Sequence, residues 1–231
     1  MKIGIYTDCH YSSAQLTCGR RYNNKSLEKI KQAYEFFEKS ACELVVCLGD
    51  LIDTELTVEK EIANLKEIAK VIHNCKIPTV CLMGNHDAFV LEQENFYKIL
   101  GISCVQEINS DGCKLLFLDA CYFKSGKRYA PGDSDWTDTF YPNEQKLKET
   151  LANAKEKVYI FIHQNLDAQI KADHRVFNAD SLVEIINQSG VVKAVFQGHY
   201  HLGHSSEYCG VKYVTLPAMC ENDHAFWVYD L

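Results

Sequence analysis

The sequence Lys-Ile-Gly-Ile-Tyr-Thr-Asp-Cys-His, from Lys2 to His10, joins an apolar run directly to an aspartate and a histidine. The run is typical of a β-strand, and residues 43–48 and 77–83 repeat the pattern, each followed by polar residues. Residues 24–39 and 57–73, which lie between these runs, carry apolar side chains at helical spacing. This order predicts parallel strands joined by helices, so the polar residues at the strand ends meet at one edge of a sheet.

The second half of the chain predicts a mixed topology. Residues 102–106 and 113–119 are interpreted as paired strands joined through the hairpin signal Asp111-Gly112. The other predicted elements are helices at 92–100, 142–154 and 180–188, and strands at 158–162, 191–196, 205–216 (turning at Cys209-Gly210) and 225–229. We expect a single α/β domain that spans residues 1–231, without an internal repeat or linker.

Size and composition suit one globular domain. The chain has 231 residues, of which 47% are hydrophobic, enough for a substantial core. No apolar stretch is as long as a membrane-spanning helix, and the sequence from Met1 runs straight into a strand rather than a signal peptide. We therefore expect a cytoplasmic protein that does not enter a membrane.

The cysteines and the charge exclude several classes of protein. Eleven cysteines, an odd number without a Cys-x-x-Cys pair, do not predict a disulfide framework, and Cys47, Cys81 and Cys104 lie in strand-like runs as expected for reduced core residues. A net charge of −7 disfavours binding to long nucleic acids. Small anionic substrates remain possible, and no obligate protein partner is evident.

Five polar segments follow apolar runs. They are Asp8-x-His10, Gly49-Asp50-x-x-Asp53, Gly84-Asn85-His86-Asp87, His163 and Gly198-His199-x-His201. In extended backbone, residues two apart point the same way, so Asp8 with His10, and His199 with His201, can each aim two side chains at one point. Adjacent Asn85 and His86 diverge, so one can bind a metal while the other meets a substrate. Together the segments predict a two-metal hydrolytic site.

This ordered series resembles the motifs of the calcineurin-like metallophosphoesterases at every element from Asp8 to His201. The resemblance implies a four-layer αββα sandwich with two mixed β-sheets and a metal site at the strand-end edge. It implies one metal held by Asp8, His10, Asp50 and His201 and another held by Asp50, Asn85, His163 and His199. It also implies that His86 protonates the leaving oxygen and that Asp87 orients His86.

The expected reaction is the hydrolysis of a small phosphodiester or nucleotide-type pyrophosphate by attack of a metal-bridging hydroxide. Oxygen and imidazole ligands without a thiolate fit several metals, among which Mn, Fe or Zn are expected. The ending from Gly198 to Glu221 also resembles the branch of manganese-dependent ADP-ribose/CDP-alcohol diphosphatases and, more loosely, cyclic-nucleotide phosphodiesterases. The alternatives are a phosphomonoesterase, including a protein phosphatase-like activity, and a metal-binding scaffold without catalysis.

Several residues outside the series permit two interpretations. Asp53 is either a helix cap or a hydrogen-bond acceptor behind the ligands. The polar segment 164–179, with His174, Arg175 and Asn178, and the segment Arg20-Arg21-Tyr22 either contact the substrate or are solvated loops. The loop 122–141 either acts as a lid with stacking aromatics or packs its own aromatic side chains, which are Phe123, Tyr129, Trp136 and Phe140.

Overall fold

A computed structural model of the protein describes residues 1–13, 16–54, 56–110, 112–133 and 140–231. The strands are β1 (Lys2–Tyr6), β2 (Leu44–Cys47), β3 (Thr79–Cys81), β4 (Glu107–Ser110), β5 (Cys113–Leu118), β6 (Lys157–Ile162), β7 (Val192–Gln197), β8 (His204–Tyr208), β9 (Val211–Thr215) and β10 (Phe226–Asp230). The helices are α1 (Ser26–Lys39), α2 (Val58–Asn74), α3 (Asn85–Val90), α4 (Gln93–Leu100), α5 (Glu144–Asn153) and α6 (Ala179–Ser189).

The strands form two mixed sheets. The first has the order β10-β1-β2-β3, in which β1, β2 and β3 are parallel and β10 is antiparallel to β1. The second has the order β4-β5-β6-β7-β9-β8, in which the four inner strands are parallel and the two edge strands are antiparallel to their neighbours. The parallel strands of each sheet therefore deliver their carboxyl ends to one edge, as the opening strand-helix pattern predicts.

The sheets pack face to face with helices outside, which confirms the predicted αββα sandwich. Ile5 and Val46 of the first sheet meet Phe161 and Phe196 of the second in a shared core. The rings of Phe117, Phe161 and Phe196 stack across three neighbouring strands, with centroids 5.1 and 5.2 Å apart. Strand residues of opposite parity, such as Val45, pack against α1, α2 and α4, and helices α5 and α6 cover the second sheet. Alternation along the strands thus builds a core on both faces of each sheet.

Two elements differ from the predictions. The hairpin strand expected at 102–106 lies instead at β4, because Ser110 pairs with Cys113 across a turn so short that the strand must end beside it. Residue 111 of the predicted turn lies outside the described residues. Strand β4 is an edge strand with half-exposed residues and no apolar run, so its composition gives little signal. Helix α3 was not predicted because its six residues are too few to show a helical period.

All eleven cysteines lie in the described ranges and are free thiols, as expected. Most are buried, but Cys104 is exposed on the segment that was wrongly predicted to be a strand. Within the described ranges, no helix combines the length and apolar character needed to cross a bilayer. The cytoplasmic location stays a prediction.

Candidate metal centre

Four of the predicted ligands have left-handed backbone at the strand ends. The φ angles are 51° for Asp8, 41° for His10, 53° for Asp50 and 64° for His199. Such angles cost a residue with a side chain about 1–3 kcal/mol and persist only where the surrounding structure imposes them. The loops after β1 and β2 hold each other in place through hydrogen bonds from Asp8 N–H to the Gly49 carbonyl, 3.0 Å, and from His10 N–H to the Asp50 carbonyl, 2.9 Å. Strain concentrated at these residues is typical of a functional site.

The motif glycines permit the ligand loops to touch. A Cβ on Gly84 would collide with the carboxylate and backbone of Asp50, and one on Gly198 would collide with Thr7 and Asp8. Because neither carboxylate could move without leaving the cluster, only glycine fits at these two positions. The spacing of glycine before a ligand, visible in the sequence, thus has a steric cause.

One half of the cluster contains Asp8, His10 and His201, all buried. The Nε2 atoms of His10 and His201 face each other at 3.2 Å. Asp8 Oδ1 lies 3.7 Å from His10 Nε2 and 3.4 Å from His201 Nε2. The other oxygen of Asp8 accepts hydrogen bonds from His199 N–H, 2.9 Å, and the Thr7 hydroxyl, 2.7 Å. The carboxylate is therefore fixed with Oδ1 turned toward the two rings.

The other half gathers around His163. Its Nε2 lies 3.2 Å from Asp50 Oδ2, and Asp50, His163 and His199 form a group whose ligand atoms lie within 4.8 Å of one another. Asp50 Oδ2 is also 3.5 Å from His10 Nε2, so one oxygen faces both halves. Asp50 Oδ1 accepts the backbone N–H of His86 at 2.8 Å, which sets the rotation of the carboxylate. This is the geometry that a bridging carboxylate requires.

Four predicted ligands carry buried polar atoms that have no hydrogen-bond partner within the part of the chain that the structure describes. They are Asp8 Oδ1, His10 Nδ1, Asn85 Oδ1 and His163 Nε2. An unpaired buried polar group costs about 1–3 kcal/mol, so native proteins rarely retain one without a partner such as an ion. Oxygen and imidazole nitrogen atoms are suitable ligands for Mn, Fe and Zn. The cluster therefore fits a pair of cations, while the individual ligand roles stay predictions.

Two of the outward-facing ring nitrogens have hydrogen-bond partners, and a third faces a carboxylate. His201 Nδ1 pairs with Glu221 Oε1 at 2.6 Å, and His163 Nδ1–H donates to the Leu48 carbonyl at 3.0 Å. His10 Nδ1 faces Asp53 Oδ1 at 3.7 Å. Such contacts fix the tautomer and orientation of an imidazole so that the opposite nitrogen is presented to a metal. The sequence did not predict this role for Glu221, because no motif spacing marks it.

Asp53, rather than Asp87, lies beside His86. Asp53 Oδ1 is 3.1 Å from His86 Nδ1, and the same buried side chain accepts hydrogen bonds from Asn23 Nδ2, 2.6 Å, and the Thr17 hydroxyl, 2.9 Å. It is thus an acceptor behind the ligands and no helix cap, since α2 begins at Val58.

Asp87 accepts hydrogen bonds from backbone N–H groups of the ligand loops. Asp87 Oδ1 accepts from the N–H groups of Leu51 and Ile52, and Oδ2 accepts from that of Gly84, all at 3.0–3.1 Å. Burial and the nearby Asp50 raise the pKa of Asp87 to about 7. Through these bonds Asp87 ties the loop after β2 to the loop after β3, while its role in orienting His86 stays a prediction.

The pKa values of the histidine rings in the cluster differ widely. Burial lowers the pKa of His163 and His201, but carboxylates outweigh it and raise each to about 9: Asp50 for His163, and Asp8 with Glu221 for His201. Burial and the neighbouring His163 lower the pKa of His199 to about 3. Burial also lowers the pKa of His86, against the opposing effect of Asp50. The cluster thus contains both strongly basic and weakly basic imidazoles.

The structure places His174 and Arg175 of the polar segment 164–179 and Arg20 and Arg21 of the early segment. The His174 ring lies 5.4 Å from that of His199, so this residue borders the site, whereas Arg175 pairs with Asp180 at 2.5 Å. Arg20 Nε is 3.1 Å from Glu221, and Arg21 Nη1 is 3.3 Å from Asp53. Both arginines therefore pair with carboxylates that lie behind the predicted ligands.

The loop 122–141 packs its own aromatics where it is described. Tyr129 is buried and its ring centroid lies 5.8 Å from that of Phe123, while Phe140 lies 5.9 Å from the His199 ring. Trp136 lies outside the described residues. The packing interpretation thus holds for Phe123 and Tyr129, whereas Phe140, near the end of the loop, reaches the metal centre.

Comparisons with known proteins agree with this architecture. The family model described as calcineurin-like phosphoesterase matches residues 1–203. A probable cyclic nucleotide phosphodiesterase from Psychrobacter arcticus is 26% identical in an alignment of 207 residues that covers 83% of this chain and 67% of that protein. Another probable cyclic nucleotide phosphodiesterase, from Pseudoalteromonas, is 23% identical in an alignment of 222 residues that covers 94% of this chain and 78% of that protein.

A solved structure shares the fold over almost the whole chain. It is the crystal structure of a dimetal phosphatase from Danio rerio, with a TM-score of 0.83 and 17% identity, covering 99% of this chain and 91% of that one. At this identity the likeness concerns the arrangement of strands and helices alone. The family match and the fold therefore agree with each other.

Proposed function

The chain belongs to the calcineurin-like phosphoesterase family and is a metal-dependent phosphoesterase, and from this premise we propose that it hydrolyses a small phosphodiester or a nucleotide-type pyrophosphate. The observation that carries the proposal is that Asp8 Oδ1 and His163 Nε2, both buried and without a hydrogen-bond partner among the described residues, lie 4.0 Å apart, while the partly exposed ring of His86 lies 4.5 Å from that of His10. A site that binds cations and offers a proton donor next to them suits hydrolysis at phosphorus.

We assign the ligands in two overlapping sets. Asp8, His10, Asp50 and His201 hold one cation, and Asp50, Asn85, His163 and His199 hold the other. When bound, two cations lower the pKa of water and neutralise charge on the phosphate oxygens. Asp50 is assigned to both sets because its Oδ2 faces both His10 Nε2 and His163 Nε2.

We assign His86 as the proton donor to the leaving oxygen. Its Nδ1 faces Asp53 Oδ1 at 3.1 Å and the Thr54 hydroxyl at 3.4 Å, and we assign the opposite ring nitrogen, Nε2, to the proton transfer. The carboxylate of Asp53, whose pKa the two neighbouring histidines hold well below its usual range, stabilises the protonated ring. The protonated His86 then gives its Nε2 proton to the departing alkoxide or phosphate oxygen.

The proposed substrate class is supported by the relatives and by the rim of the site. The curated relatives are described as probable cyclic nucleotide phosphodiesterases. Arg20 and His174, which border the cluster, offer N–H donors to phosphate oxygens. The net charge of −7 favours a local phosphate contact over a long nucleic acid.

The experiment is a substrate panel on protein loaded with one defined metal at a time: Mn, Fe or Zn. We expect turnover of bis(p-nitrophenyl) phosphate to exceed that of p-nitrophenyl phosphate, with cyclic nucleotides and nucleotide pyrophosphates among the natural substrates that are cleaved. The Asp223→Asn variant is a suitable control, because the Asp223 side chain is 95% exposed and lies outside the cluster. Faster turnover of the monoester would contradict the proposal, and metal binding without any hydrolysis would indicate a scaffold.

A further inference from the structure

A cysteine lies in the metal cluster that the sequence motifs do not include. Cys220 Sγ and one ring nitrogen each of His10 and His201 lie within 4.8 Å of one another, and all three residues are buried. The distances within this group are compatible with ligands of a single cation, since metal–nitrogen and metal–sulfur bonds are about 2.0–2.3 Å long. The sequence prediction of oxygen and nitrogen ligands alone therefore omits an available sulfur.

The backbone fixes the position of this thiol. Cys220 N–H donates to the Asp8 carbonyl at 3.1 Å, and the Cys220 carbonyl accepts from Tyr22 N–H at 2.9 Å. The preceding residue, Met219, donates its N–H to the Thr7 carbonyl at 3.1 Å, so the two segments run side by side here. Because the chain is bonded on both sides of the cysteine, its side chain is held against the loop that carries Asp8 and His10.

Glu221, the next residue, orients the His201 ring in the same half of the cluster. Its carboxylate holds His201 Nδ1 at 2.6 Å, while the preceding cysteine places sulfur near the ring nitrogens of the cluster. Two consecutive residues thus act on one imidazole: Glu221 orients it, and Cys220 lies beside it. In a regular helix or strand, adjacent side chains point in different directions. The sequence alone therefore does not indicate that both residues lie beside the same imidazole.

Asp8 supplies an independent observation. Its Oδ1 is fully buried, lies 3.4 Å from His201 Nε2 and has no hydrogen-bond partner among the described residues. This oxygen and the Cys220 sulfur therefore each lie beside the same two imidazoles, those of His10 and His201. Thiolate donors favour zinc and other soft cations, whereas manganese prefers oxygen-rich sites.

We propose that Cys220 is a ligand of the cation held by Asp8, His10 and His201, and that this half of the centre selects a thiolate-binding metal such as zinc over manganese. On binding, the S–H bond breaks, a sulfur–metal bond forms and the proton leaves to solvent, without any change of oxidation state. The inference rests on the proposed metal centre but not on the choice of substrate. It replaces the expectation that the centre lacks a thiolate.

The direct test is optical absorption of the protein with cobalt(II) in place of the native metal. We expect the wild type to show a near-ultraviolet thiolate-to-cobalt charge-transfer band that is absent from Cys220→Ser and Cys220→Ala. Cys121→Ser is the matched control, because Cys121 is equally buried but belongs to no ligand group, and it should keep the band. A wild type that binds cobalt without this band would overturn the proposal.

A second readout needs no variant to fold. The ¹¹³Cd NMR shift of the cadmium-loaded wild type should lie in the range of thiolate coordination, and a shift typical of nitrogen and oxygen ligands alone would reject Cys220 as a ligand. If the variants fold, zinc affinity should fall about tenfold or more in Cys220→Ser, at least the loss that an outer partner of a ligand causes, while manganese affinity changes little. Equal loss for both metals would contradict the proposed selectivity.

These outcomes separate this inference from the proposed function. A wild type that binds two cations and cleaves phosphodiesters without a sulfur signal would reject only the role of Cys220. A wild type that binds no cation in the cluster would reject both.

Discussion

The two halves of the metal centre differ in what lies behind their imidazoles. In the half with His10 and His201, carboxylates face the outer ring nitrogens: Glu221 at 2.6 Å from His201 and Asp53 at 3.7 Å from His10. In the other half, His163 donates to the uncharged carbonyl of Leu48. A carboxylate behind a histidine raises its basicity as a ligand more than a neutral acceptor does. We therefore expect the first half to bind its cation more tightly and the second to exchange it more readily.

The largest effect is expected where the halves meet. Replacing Asp50 with Asn removes the charge that faces both His10 and His163, so both cations should be lost and activity should fall by more than about a hundredfold, beyond the range typical of an outer partner. Metal analysis after dialysis, alongside phosphodiester turnover, checks this. Retention of two cations in Asp50→Asn would break the assignment of a bridging ligand.

Replacing His163 should remove one half only. In His163→Gln we expect one bound cation per chain instead of two, with turnover strongly reduced, because Asp8, His10 and His201 remain in place. Isothermal titration with zinc gives the stoichiometry. The His73→Gln variant is the control, since His73 lies on α2 and its Nε2 contacts the Leu100 carbonyl away from the centre. Loss of both cations in His163→Gln would mean that the halves are not separable.

Replacing Asp53 should affect the proton donor more than the metals. Asp53→Asn removes the acceptor beside His86 Nδ1, so kcat should fall about 10- to 100-fold, the range seen for partners behind functional groups. The Asp53 carboxylate raises the pKa of His86, so its loss lowers that pKa further, and a smaller fraction of His86 is protonated at any given pH. The alkaline limb of the kcat profile should therefore move to lower pH. An unchanged limb would show that another group donates the proton.

The smallest effect is expected for Glu221. Glu221→Gln keeps the shape of the side chain but removes the charge behind His201, so zinc affinity of the first half should fall about tenfold while that of the second stays constant. Stepwise zinc titration of the wild type and the variant measures this. If Glu221→Gln instead weakened the binding of the more loosely held zinc ion, the first half would be the weaker site, contrary to our expectation.

The sequence predicts the framework of the site well because local pattern determines it. Apolar runs ending at Asp8, Asp50 and His163 become strands whose ends meet, and the family match confirms the class of enzyme. The glycines before the ligands gave a second local signal. The predicted fold is confirmed in its layers and in its mixed sheets.

Other features depend on contacts between distant segments. The roles of Asp53, Cys220 and Glu221 arise where loops after different strands are packed together, and no spacing in the sequence marks them. The hydrogen bonds of Asp87 to the loop after β2 likewise join segments that are distant in sequence, and the role that the resemblance implies for Asp87 stays a prediction. Strand β4 and helix α3 were missed because edge pairing and a single short helix leave no periodic pattern.

The central claim is that two cations bind between the imidazoles and carboxylates of the cluster. Crystals of the zinc-loaded protein, measured on both sides of the zinc absorption edge, test it directly. The account predicts two anomalous peaks about 3.5–4 Å apart, one beside His10 and His201 and the other beside His163 and His199. A single peak, or zinc bound only elsewhere on the molecule, would contradict it.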